Sequence, residues 1–141
     1  MNELEQNAVK ELKNYKAYKI KIQNLKSKIK ALEDVGTGIS YDGVRVDGGN
    51  DNGVENSMIT RIDNKERLET MLKIAEVNIN IIDRALEALT DDERKILIAF
   101  YVNKKEQGTA DRLAEHFNRS SDYVYSTKNE ALKRFAIMIS K

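Results

Sequence analysis

The side chains best suited to chemistry lie near the C-terminal end of the sequence, in FNRSSDYVYSTKNEALKRF (117–135). Hydroxyl, amide, phenol and cationic groups follow one another there, and such groups bind phosphate oxygens and base edges. A helix over this segment buries Val124, Leu132 and Phe135 on one side and leaves the polar residues on the other. We therefore expect a partner, nucleic acid or protein, on the polar side.

Catalysis has few candidate groups elsewhere. His116 is the only histidine, cysteine is absent, and six of the seven glycines lie between positions 36 and 53 in no phosphate-binding pattern. The segment DGGNDNG suggests a calcium loop by composition. With Gly53 as the turn glycine, however, the EF-hand spacing places Gly48 at the first acidic position and Ile59 at the last. We predict no enzyme activity, no metal site and no cofactor.

The spacing of apolar residues predicts an all-α chain. Heptad steps of three and four predict one long helix over 3–34 and a second over 57–89. Between them, 35–56 is predicted to be a flexible, acidic, glycine-rich loop, although ISYDGVRV also alternates enough for a short strand or hairpin. The absence of proline and the 6% aromatic content favour long exposed helices over a sandwich or barrel.

Charges beside the two heptad seams predict how the long helices pair. An antiparallel arrangement places Lys26 opposite Glu76 and Lys19 opposite Asp83, whereas a parallel copy of the first helix would place lysine against lysine. We therefore predict an antiparallel helical hairpin (coiled coil) over 1–89, with a homodimer through this hairpin as the alternative. Further apolar residues on the second helix are expected to meet the C-terminal unit or another subunit: Met71, Ile74, Val77 and Ile81.

Residues 90–141 are predicted to form a helix-turn-helix unit. A short helix, a turn of about three residues and a longer helix is the plan of that motif, and a solvated three-helix bundle is the alternative. Residues of the types that begin and end helices mark the boundaries: Thr90 with Glu93 as a capping box, Thr109, Asn118, and Ser120 or Ser121.

The polar side of the last helix is predicted to contact DNA. Segment 119–141 has five cations against two carboxylates, a net charge of +3, while the whole chain has a net charge of +1. A nucleic-acid surface would therefore be local. The predicted contact residues are Thr109, Arg119, Ser120, Ser121, Asp122, Tyr125, Ser126, Lys128, Asn129 and Lys133.

Two segments, LTDDERKILIAFY (89–101) and LAEHFNRSSDYVYSTKNEALKRF (113–135), resemble region four of sigma factors. The whole chain is similar to small phage and prophage transcription regulators of Gram-positive bacteria, the ArpU-type and RinA-type late-gene activators. The resemblance implies a cytoplasmic regulator that binds double-stranded DNA and contacts RNA polymerase, with no membrane partner. The alternatives are a small terminase subunit and a coiled-coil protein-interaction module.

Overall fold

The computed structural model describes residues 1–36, 51–104 and 107–140, with side chains at 1–34, 60–104 and 107–140. Within these ranges the regular elements are all helices, so the all-α prediction is confirmed. The predicted strand at ISYDGVRV lies outside the described residues. In chain order the helices are α1 (Glu3–Lys13), α2 (Tyr15–Gly36), α3 (Asp51–Glu87), α4 (Asp91–Leu97), α5 (Thr109–Phe117) and α6 (Ser121–Ile139), and a π-helical turn (Ile98–Val102) extends α4.

The first predicted helix is interrupted at Asn14, so the prediction of one continuous helix over 3–34 is wrong there. The interruption is mild. The Asn14 N–H still donates to the Lys10 carbonyl at 3.0 Å, and the Tyr18 N–H donates to the Asn14 carbonyl at 2.9 Å. An asparagine side chain competes with the backbone for hydrogen bonds, which weakens a helix locally without disturbing its apolar seam.

The second long helix begins at Asp51 and α2 extends to Gly36, so the predicted loop is wrong for residues 35–36 and 51–56. Gly53 lies inside the first turns of α3. A single glycine costs about 1 kcal/mol relative to alanine in a helix. Because adding a residue to an existing helix needs no new nucleation, one such residue does not have to end it.

The described chain forms two compact units, a larger one of Met1–Tyr18 with Asn78–Lys141 and a smaller one of Lys19–Val77. The larger unit has a core to which α1, the end of α3 and α6 all contribute. Residues on both sides of the domain boundary predicted at 89/90 contribute to this core. The boundary itself remains a prediction. The fully buried members of the core include Leu12, Ile82, Leu97, Leu132 and Phe135.

Two tyrosines near the start of α2 bind carboxylates within the larger unit. The Tyr15 hydroxyl donates to Asp83 Oδ1 at 2.5 Å, and the Tyr18 hydroxyl donates to Glu11 Oε2 at 2.8 Å. Burial, followed by the hydrogen bond to Asp83, raises the pKa of Tyr15 to about 12. Both hydroxyls therefore remain protonated donors at neutral pH.

In the smaller unit, two ion pairs give the relative direction of α2 and α3. Lys26 Nζ lies 3.9 Å from Glu76 Oε2, and Lys65 Nζ lies 3.1 Å from Glu33 Oε2. The order of the partners is reversed along the two helices, so they run antiparallel in this unit. The Lys26–Glu76 pair is the one predicted from the charges, while the Lys19–Asp83 pair and the full hairpin over 1–89 remain predictions.

Candidate nucleic-acid interface

The connection between α5 and α6 consists of residues 118–120. Asn118, predicted to mark a helix end, has φ 57° and ψ 46°, a left-handed conformation, and the Arg119 N–H donates to the Ala114 carbonyl at 2.9 Å. Ser120 Oγ accepts from the Tyr123 N–H at 3.1 Å, so Ser120 is the N-cap of α6. Local hydrogen bonds thus fix both ends of a tight turn between the two helices.

The start of α5 differs from the prediction. Gly108 precedes the helix with φ 75°, and Thr109 is already the first helical residue, so the prediction that Thr109 caps α5 is wrong. Glycine adopts this left-handed backbone without steric cost. Gly108 is therefore the N-cap of α5, one residue before the predicted threonine cap.

A small second core connects α4, α5 and α6. It contains Ile96, Ala110 and Val124, all buried, with Leu113 and Phe117 packed against them. Because Val124 is 0% exposed, the rotation of α6 about its axis is fixed. Residues spaced by three and four positions on the opposite side therefore share one exposed face: Asp122, Tyr125, Ser126 and Asn129.

Lys128 lies beside this face in a half-buried position. Its Nζ lies 4.9 Å from the centre of the Phe100 ring and 5.3 Å from that of Tyr125, and the two ring centres are 6.0 Å apart. Each cation–π contact contributes about 0.5–1 kcal/mol at such sites. The ammonium group is therefore held next to the exposed phenol of Tyr125.

Three further contacts order the N-terminal end of α6. The Ser121 hydroxyl donates to Asp111 Oδ1 at 3.2 Å, which joins the first turns of α5 and α6. The Arg119 guanidinium lies 4.9 Å from the centre of the Tyr123 ring, and the Tyr123 hydroxyl donates to Asp92 Oδ2 at 3.3 Å. The Ser121 hydroxyl thus donates its hydrogen bond within the protein, and its oxygen remains available to accept one from a ligand.

Glu93 connects α6 to α4. It forms the predicted capping box with Thr90, accepting from the Thr90 N–H at 3.0 Å while its own N–H donates to Thr90 Oγ1 at 3.3 Å. Its carboxylate also forms an ion pair with Arg134 of α6, and the Glu93 side chain is only 9% exposed. The capping box could be predicted from adjacent residues, but nothing in the sequence indicates the distant Arg134 as a partner.

The exposed cation at the far end of the face, Lys133, lies 3.9 Å from Glu130 Oε1, and both side chains are more than half exposed. Such a pair contributes little to stability. Lys133 can therefore exchange this carboxylate for a phosphate at small cost.

The described ranges contain neither a metal-binding cluster nor a membrane-spanning helix. No group of three or more histidine, cysteine, aspartate and glutamate side chains is arranged there to hold a metal ion. Nor does any described helix combine the length and the apolar character needed to cross a bilayer.

Comparisons with family models, with curated proteins and with solved structures found no match to this chain.

Proposed function

We propose that this chain is a sequence-specific DNA-binding regulator of transcription in which α5 and α6 act as a helix-turn-helix. The N-terminal half of α6 would enter the major groove of double-stranded DNA. The observation that carries the proposal is the exposed polar face of α6, directly opposite the buried Val124.

The chemistry of this face suits base reading. The major groove admits an α-helix, and an asparagine amide can bind the adenine edge through two hydrogen bonds. Asn129 is the candidate for that contact, since its side chain is exposed and lies one turn beyond Tyr125 and Ser126. Each good bidentate contact is worth about 1–3 kcal/mol of discrimination against the wrong base.

Cations flank the reading face and would position it on the phosphates. Arg119 lies at its N-terminal end, Lys128 at its side and Lys133 at its C-terminal end. Phosphate contacts of this kind fix the register of a protein on DNA without carrying sequence information. Replacing them should weaken binding to all sequences alike.

The likeness of 89–135 to sigma region four extends the proposal to transcription. A unit of this type, bound near a phage promoter, would recruit or position RNA polymerase. Asp91 at the start of α4, with 82% of its side chain exposed and outside the DNA-facing set, is a candidate for such a contact.

Selection of bound duplexes from fragments of the parent genome tests the proposal. A regulator is expected to enrich a short sequence upstream of a transcription unit. Enrichment at a packaging start would instead indicate a terminase subunit. Recovery of no preferred sequence from the intact chain would contradict sequence-specific binding.

A second candidate, an oligomeric interaction module or small terminase subunit, is supported by the smaller unit. Three apolar side chains of α3 there are more than half exposed: Ile62 (56%), Ile74 (58%) and Val77 (55%). Sedimentation equilibrium distinguishes the candidates, because a closed ring of many subunits favours the terminase and a monomer or dimer favours the regulator.

A further inference from the structure

A cleft of 330 Å³ lies in the larger unit between the end of α4 and the start of α5. Its apolar side chains are Ile98, Ala99 and Leu113, all of which are partly exposed. Its volume lies at the lower end of the roughly 300–1,000 Å³ typical of small-molecule sites. The cleft therefore suits a small occupant with an apolar body.

One wall of the cleft is the π-helical turn Ile98–Val102. The Asn103 N–H closes this turn by donating to the Ile98 carbonyl at 2.7 Å. A π turn holds one residue more than an α turn, and such turns occur frequently at functional sites. Here the turn brings Ile98, Ala99 and the Asn103 side chain to the same cleft.

The polar groups at the cleft are cations and neutral donors. Lys95 and Arg112 lie on opposite helices, with Asn103 and Thr109 between them along the chain, and none of the described residues that line the cleft is an aspartate or glutamate. Among the described residues, neither Lys95 nor Arg112 has a carboxylate oxygen within 4.0 Å. The described lining thus combines two positive charges, neither in an ion pair with a described carboxylate, with an apolar floor.

We propose that this cleft binds a small organic carboxylate, with the charged end between Lys95 and Arg112 and the apolar body on Ile98, Ala99 and Leu113. The occupant would connect α4 to α5. The inference does not depend on DNA binding by α6, because none of the lining residues lies on that helix. Thr109 is shared with the predicted DNA contacts, so a DNA phosphate is the competing occupant.

The test uses the full chain labelled with ¹⁵N and titrated with 4-phenylbutyrate, while amide shifts are followed by NMR. Saturable shifts are expected at residues 98–103 and 109–113, with a Kd in the millimolar range for a ligand of this size. Three matched probes accompany it: 4-phenylbutanol lacks the charge, acetate lacks the apolar body, and inorganic phosphate represents the DNA backbone. All three are expected to bind at least about tenfold more weakly.

Variants assign the two parts of the site. Lys95→Gln and Arg112→Gln are each expected to weaken 4-phenylbutyrate binding about tenfold, equivalent to about 1.4 kcal/mol, and both side chains are exposed, so the fold should persist. Ala99→Leu fills the floor and should weaken the same ligand without removing charge. Lys133→Gln, outside the cleft, should leave the Kd unchanged.

Several results would overturn the proposal. These are shifts that do not saturate, an unchanged Kd in the Lys95→Gln, Arg112→Gln double variant, or phosphate binding as tightly as 4-phenylbutyrate. The last result would identify the cleft as a phosphate site that belongs to DNA binding.

Discussion

Replacing Arg94 with leucine is expected to destabilise the larger unit, because this side chain donates hydrogen bonds to backbone carbonyls at the end of α3. Arg94 Nε donates to the Leu86 carbonyl at 2.9 Å, and Nη2 donates to the Leu89 carbonyl at 3.0 Å and the Glu87 carbonyl at 3.3 Å. The last carbonyls of a helix have no partner within the helix. From the first turns of α4, Arg94 donates to the last two carbonyls of α3, those of Leu86 and Glu87, and to the Leu89 carbonyl in the connection that follows.

The size of the effect follows from the exposure of each bond. The bonds to Leu86 and Leu89 are partly buried, and each contributes about 1 kcal/mol. The bond to Glu87 is exposed, and so is the Asp91 carboxylate that Nη1 contacts at 2.9 Å, with 82% of its side chain accessible. Both add little. We therefore expect a loss of about 2 kcal/mol, or a fall in Tm of about 8–16 °C for a unit of this size.

Urea denaturation followed by circular dichroism at 222 nm measures this loss. Arg94→Lys should recover less than half of it, since an ammonium group cannot reach carbonyls in three directions as a planar guanidinium does. Arg84→Leu is the matched control, as an exposed arginine of the last turn of α3, and should change stability by less than about 0.5 kcal/mol. Equal effects of Arg94→Leu and Arg84→Leu would refute the capping role.

Three other predictions concern the packing of the long helices. Lys26→Glu should destabilise the smaller unit, and adding Glu76→Lys should restore its stability. The expected coupling energy between the two substitutions is about 0.5 kcal/mol and should fade in high salt. A coupling energy of zero at low salt would show that Lys26 and Glu76 do not interact. Because the pKa of Tyr15 is about 12 in the folded chain and 10.0 ordinarily, its contribution is complete below about pH 10 and is lost as the pH rises towards 12. Tyr15→Phe should remove this dependence of the free energy of unfolding on pH, measured by urea titration, and an unaltered slope would show that burial and Asp83 do not raise the pKa of Tyr15. Ile79→Asp should cost several kcal/mol, since residue 79 is 7% exposed and a carboxylate there is unpaired; an unchanged melting curve would contradict its burial.

Features fixed by neighbouring residues could be predicted from the sequence. The capping box of Thr90 with Glu93 and the cap at Ser120, one of the two serines predicted for it, depend on side chains three positions from the backbone they bind, and the helix end at Asn118 depends on the residue type there. The burial of Val124 follows from its place in an apolar pattern. Such local features can be recognised from the residue types, because they do not depend on contacts with distant parts of the chain.

Features that depend on distant contacts could not be predicted. The apolar seam of the first helix shows that one face is buried but not against what, and Leu12 shares a core with Phe135. The same limit applies to the ion pair of Glu93 with Arg134. The π-helical turn after α4 also has no signature, since an apolar run such as 96–102 is equally compatible with an α-helix.

The role of α6 is tested most directly by fluorescence anisotropy with a selected duplex and a scrambled duplex of the same composition. Tyr125→Ala and Asn129→Ala should each weaken binding to the selected duplex about 5- to 150-fold, the equivalent of about 1–3 kcal/mol per lost base contact, while binding to the scrambled duplex changes little. Ile137→Ala, exposed on the C-terminal end of the same helix, should leave both affinities unchanged. If the Tyr125→Ala, Asn129→Ala double variant keeps a native circular dichroism spectrum and still binds the selected duplex with full affinity, this face does not read DNA.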